Sequence, residues 1–130
     1  MITPCEIAAK SVVPVIKAAI AKELVKTHGL KQSQVAEMLG ISQSAVSKYT
    51  CGIRGHVIEI DNMEEIQSLI NKMMCLLTKE DCRRAEFLRL FCQACIIIRK
   101  KGLMCGFCEK TDPKVKMEKC NFCLTATFDF

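Results

Sequence analysis

The 130-residue sequence predicts a mainly α-helical fold, and three observations carry that expectation. Apolar residues recur at helical rather than alternating spacing over most of the chain. Ser, Gly and Pro fall where helices of that spacing would start and stop. The last third is short, lysine-rich and holds six of the ten cysteines as three Cys-x-x-Cys units. Composition divides the chain into a helical unit over residues 1–57, an amphipathic helical segment over 58–91, and a cysteine-rich tail over 92–130.

Half of the residues are apolar, as in packed globular chains. No apolar run reaches the roughly 20 residues needed to span a bilayer. The stretch over residues 11–25 is broken by Pro14, Lys17, Lys22 and Glu23, and Glu6 and Lys10 interrupt any export signal. A cytoplasmic protein with no membrane partner is expected. There, ten cysteines point to metal ligands rather than disulfides. The net charge of +5 is unevenly spread: residues 1–57 hold seven basic and three acidic side chains, the remainder twelve and eleven. A basic excess on the first unit suits contact with phosphates.

The first helix is expected over residues 14–27, with Val15, Ala18, Ala19, Ala21 and Val25 as its apolar stripe. Pro14 suits its first turn and His28-Gly29 its end. A second helix spans residues 33–39 and stops at Gly40. Ser42 caps a third over residues 43–50, closed by Gly52. The segment from Gln32 to Cys51 reads QSQVAEMLGISQSAVSKYTC. Ala36 is small where a second helix must cross closely, and Gly40, four positions later, tolerates a left-handed turn. Val35, Leu39, Ile41 and Val46 then form a local core. Gln43, Ser44, Ser47 and Lys48 face outward on the third helix. Gln43 can pair bidentately with adenine, and Lys48 suits a phosphate. A plain helical hairpin with a wet polar face would explain any one of these positions. The combination points to DNA binding.

This segment resembles the helix-turn-helix of Xre/Cro-type regulators at Gln34-Val35-Ala36, Leu39-Gly40-Ile41-Ser42 and Ala45-Val46-Ser47-Lys48-Tyr49. The wider segment from Pro4-Cys5-Glu6 to Arg54-Gly55 is similar to archaeal regulators that combine the motif with C-terminal cysteines. The resemblance implies a transcriptional regulator that binds double-stranded DNA, and it places Arg54 near the DNA backbone.

Residues 61–77 carry Met63, Ile66, Leu69, Ile70, Met73, Met74 and Leu77 at helical spacing. Thr78-Lys79-Glu80-Asp81 looks like a capping box opening another helix, which leads to Phe87, Leu88, Leu90 and Phe91. These apolar faces suit either an internal core or a homodimer interface, since helix-turn-helix proteins usually pair on two half-sites. Arg83, Arg84 and Arg89 read as a solvated face.

In the tail, Cys92/Cys95, Cys105/Cys108 and Cys120/Cys123 each place two residues between thiols, so that a tight turn can aim both at one ion. The second and third units resemble zinc-ribbon knuckles, with Gly106 and Asn121 where positive φ is tolerated. Three pairs do not divide into four-ligand sites: one pair is spare, or Cys75, Cys82 or a second chain contributes. Zinc and an iron–sulfur cluster both suit all-thiolate ligation. The metal would staple a tail too small to fold alone, or report redox or metal state to the DNA-binding unit. Cys51 reads as a packing cysteine; Cys5, which precedes the first helix, suits packing or the reach of a cluster; His28 and His56 read as solvent-facing. No catalytic constellation occurs, so an enzyme is not expected. The competing reading is a metal-binding module that contacts protein or RNA, with the helix-turn-helix as a packing hairpin.

Overall fold

The computed structural model describes residues 2–51, 58–79 and 83–125. Among them lie nine helices and no strand: α1 (Pro4–Lys10), α2 (Val12–Lys26), α3 (Gln32–Leu39), α4 (Gln43–Thr50), α5 (Glu64–Thr78), α6 (Arg84–Lys100), α7 (Cys105–Thr111), α8 (Lys114–Met117) and α9 (Phe122–Thr125).

The sequence reading did not foresee α1. Thr3 caps it, accepting the Glu6 amide while the Glu6 carboxylate accepts the Thr3 N–H at 2.7 Å. This reciprocal box satisfies two amide donors left open at the helix start. The chain breaks at Ser11, where φ is −123° and ψ −64°. Pro14 explains the break, because its ring would collide with the Lys10 carbonyl in an unbroken helix and it has no N–H to donate. The buried Ser11 hydroxyl instead donates to the Ile7 carbonyl at 2.7 Å.

Helix α2 is the axis of the fold and packs on α1, α3, α4, α5 and α6. Its buried face is Val12, Val15, Ile16, Ile20, Ala21 and Leu24. The expected stripe was rotated from this: Ala18, Ala19 and Val25 are only half-buried. Val12, Ile16, Ile20 and Leu24 recur at four-residue steps on the face that α2 turns to its neighbours. Each such side chain contributes about 1.5–3 kcal/mol of hydrophobic stabilisation.

Helices α5 and α6 make the most extensive helix pair and close over α2 with Ile66, Ile70, Met73, Ala94 and Ile98. One core therefore runs from Ile7 to Met104. It crosses both compositional boundaries, and the one at residues 91 and 92 falls inside α6. Thr78 does not open α6 as expected. It is the last residue of α5, and its hydroxyl bonds back to the Met74 and Cys75 carbonyls. Arg83 precedes α6 without a side-chain cap, and Glu80 and Asp81 lie outside the described residues. Arg83, Arg84 and Arg89 are exposed, as expected.

Candidate nucleic-acid interface and the thiol pocket

Two short helices joined by a left-handed residue make the first site. At the entry to α3 the Lys31 amide donates to the Gln34 side-chain oxygen at 3.1 Å. At its end Gly40 adopts φ 64° and ψ 37°, which lets the Ile41 amide return to the Ala36 carbonyl at 3.0 Å. That is the hydrogen bond of a glycine-closed helix end. Two residues later the Ser42 hydroxyl accepts the Ala45 amide at 3.1 Å and starts α4. Gly40 and Ser42 thus end one helix and begin the next within three residues.

Buried Val35, Ala36 and Leu39 of α3 meet Ala45, Val46 and Tyr49 of α4 in the shared core. Ile41 is half-buried against it. Ala45 and Tyr49 join the core residues expected from sequence. Their burial fixes the opposite face of α4 outward: Gln43, Ser44 and Lys48 are exposed, and Ser47 is half-buried. These four positions share one helical face. Arg54, Gly52 and His56 lie outside the described residues. Cys51 caps the C-terminus of α4 and is exposed rather than packed.

The second site is at the other end of the core. Cys92 and Cys95 do not sit in a turn but in the middle of α6, Cys92 exposed and Cys95 half-buried. Cys105 and Cys108 share α7, Cys120 precedes α9, and Cys123 lies within α9. Among its described residues the tail is thus helical, without the hairpins of a zinc ribbon. Gly106 lies inside α7, and neither it nor Asn121 has positive φ. The left-handed residues are instead Gly102 (φ 76°) and Lys119 (φ 52°), upstream of their pairs. Lys119 lets the Cys120 amide return to the Val115 carbonyl at 3.0 Å, the same turn that Gly40 makes.

These turns bring Cys105, Cys108, Cys120 and Cys123 onto one cavity of about 320 Å³, bounded also by Arg99, Met104 and Phe122. Arg99 was missed by sequence reasoning. It ends the apolar run of α6, and only 4 % of it is exposed. Its Nε donates to Cys123 Sγ at 3.4 Å, and its Nη1 lies 3.9 Å from Cys5 Sγ. Cys5 therefore faces the tail rather than packing in the core. Burial pushes the Cys105 and Cys108 thiols up, and the nearby Cys123 adds to the rise. Burial also raises Cys95, against the lowering effect of Arg99. Burial works against the Arg99 charge, but Cys123, Cys5 and Cys95 around it together offset this and hold its pKa above the ordinary value.

The nine cysteines among the described residues are free thiols, and Cys82 lies outside those residues. Among the described residues, no three His, Cys, Asp or Glu side chains are already arranged to hold a metal ion, and no helix is long and apolar enough to cross a membrane.

Residues 22–57 match a family model described as "Helix-turn-helix". The match spans α3, the left-handed turn and α4, and begins within α2. No curated protein and no solved structure matches the chain.

Proposed function

We propose that the chain is a transcriptional regulator that reads double-stranded DNA in a sequence-specific manner with the outer face of α4. The observation that carries this reading is the division of α4 into two faces. Ala45, Val46 and Tyr49 bury one side of it in the core, which leaves Gln43, Ser44 and Lys48 projecting from the other. Gln43 and Ser44 take base edges, Lys48 takes a phosphate, and Ser47 supports them from the rim of the face. The residue expected to follow on the DNA backbone is Arg54.

The regulator acts in the cytoplasm as a homodimer, so that two copies of α4 meet two half-sites. The apolar residues of α6 support this: Leu88 is 45 % exposed, beside half-buried Phe87, Leu90 and Phe91. The tail thiols hold zinc or an iron–sulfur cluster that staples the tail or reports redox or metal state. No catalysis is assigned.

The test is a duplex selected from a randomised DNA library, bound at several salt concentrations. Gln43→Ala should cost about 1–3 kcal/mol and relax preference at one base pair. Lys48→Ala should weaken all sequences alike and lower the log–log salt slope by about 1. Unchanged affinity in the double variant would leave α3 and α4 as a packing hairpin and end the DNA-reading proposal.

A further inference from the structure

We infer that Cys105, Cys108, Cys120 and Cys123 are the four ligands of a single tetrathiolate metal site, with Arg99 as its built-in counter-charge, and that the Cys92/Cys95 pair stands outside it. This rests on the proposal that the tail binds metal, and it names the donors and the residue that balances their charge.

The cavity between α1, α6 and the tail sorts the three pairs. It is lined by both thiols of the second pair and both of the third, together with Arg99, and by neither thiol of the first. Cys105 and Cys108 are three positions apart on α7, so both thiols project from one side of that helix. Cys120 and Cys123 approach from the start of α9, with Cys120 held by the hydrogen bond that its backbone N–H donates to the Val115 carbonyl. Cys92 is exposed on α6, Cys95 shares the Arg99 guanidinium from one turn earlier on α6 but does not line the cavity, and Cys75 lines a separate groove along α5 and α6.

Charge balance gives Arg99 its role. Four thiols that bind one divalent cation release four protons, and the resulting centre carries two negative charges. In a pocket with three of the four cysteines half-buried, such a centre requires a cation close by. Arg99 is there already, almost wholly buried and hydrogen-bonded to Cys123 Sγ at 3.4 Å. A guanidinium keeps its charge at every relevant pH and presents several donors to sulfur. Ligation also includes rotation of the thiols, since no three are yet set around a point. Each cysteine has a single χ1 torsion with three staggered positions for that movement. The same four thiolates suit zinc, or iron bound with inorganic sulfide.

The experiment uses the full chain purified without oxygen, with zinc, iron and sulfide analysis and titration with cobalt(II) as a coloured probe of thiolate ligation. Wild type should bind one tetrathiolate centre. Cys105→Ser and Cys120→Ser should each weaken cobalt at least ten-fold, while Cys92→Ser and Cys75→Ser leave it unchanged. Arg99→Gln should weaken cobalt by about 10–100-fold with helix content retained, and Arg99→Lys should recover part of the loss. Zinc without sulfide or iron with sulfide each supports the site and names its occupant. Metal retained in Cys105→Ser, or lost in Cys92→Ser, overturns the ligand set while the metal-binding proposal stands. Full affinity in Arg99→Gln overturns the counter-charge. A wild-type chain that takes up no zinc, iron or cobalt removes the metal-binding proposal itself.

Discussion

Replacing Gly40 by alanine isolates the backbone conformation on which the helix-turn-helix depends. Gly40 has φ +64°, and a Cβ built there meets no atom within 4 Å. Steric conflict with neighbours is therefore absent, and the cost is that of the conformation alone. A left-handed L-residue costs about 1–2 kcal/mol. Loss of glycine's freedom in the unfolded chain returns about 0.4–1 kcal/mol. The net expectation is a destabilisation of about 0–1.6 kcal/mol, centred near 0.8 kcal/mol, with Gly40→Asn milder because asparagine enters this region more readily. With an unfolding entropy of about 2.1 cal/mol/K per residue, each kcal/mol lowers Tm by about 4 °C in a chain of this length. Urea unfolding followed by circular dichroism at constant m-value measures it. Gly106 is the internal control. It lies within α7 without positive φ, also with open space for a Cβ. There alanine should stabilise α7 by about 0.5–1 kcal/mol. A cost for Gly40→Asn equal to or above that of Gly40→Ala, or a net stabilisation by alanine, would refute the conformational argument. A destabilising Gly106→Ala would restore the left-handed knuckle turn in place of the helix.

Three further outcomes follow from burial and capping. Ser42→Ala removes the hydroxyl that accepts the Ala45 amide and should cost about 1 kcal/mol in urea unfolding; Ser42→Asp should restore most of it. Ile20→Ala, at a position with no exposure on α2, should cost about 2–5 kcal/mol, whereas Val25→Ala, half-buried on the flank, should cost clearly less in the same assay. Leu88→Glu on α6 should shift the chain to monomer in light scattering without loss of helix; an unchanged mass would place the dimer contact elsewhere.

The parts legible in the sequence are those decided within three or four residues. Gly40 and Ser42 act through bonds to Ala36 and Ala45, so a local reading finds the boundaries of α3 and α4 to within a residue. The same kind of signal marked α1 and was overlooked: Thr3, Pro4 and Glu6 form a capping box with proline at the first position. The face of α2 was decided elsewhere. Ala18 and Ala19 are spaced as helically as Ile16 and Ile20, and only the five helices packed around α2 make the isoleucine side the inner one. Arg99 carries no local signal, because its burial is decided by the thiols of Cys5 and Cys123, far off in sequence, that meet its guanidinium.

The cysteine pairs show why spacing alone could not resolve the tail. Two residues between cysteines put both thiols on one side of a tight turn, but they do the same on one turn of helix. The pattern is therefore chelating in either local structure, and it identifies neither the turn nor the partner. What separates the pairs is the surface that each helix presents. Cys92 looks to solvent from the middle of α6. Cys95 meets Arg99 from one turn earlier but stays off the cavity, whereas the later pairs are folded back by Gly102 and Lys119 until all four cysteines line it. A left-handed residue upstream of a pair, rather than inside it, determines where its thiols go. Gly102→Ala should accordingly disturb cobalt binding more than Gly106→Ala, although only Gly106 lies between two cysteines.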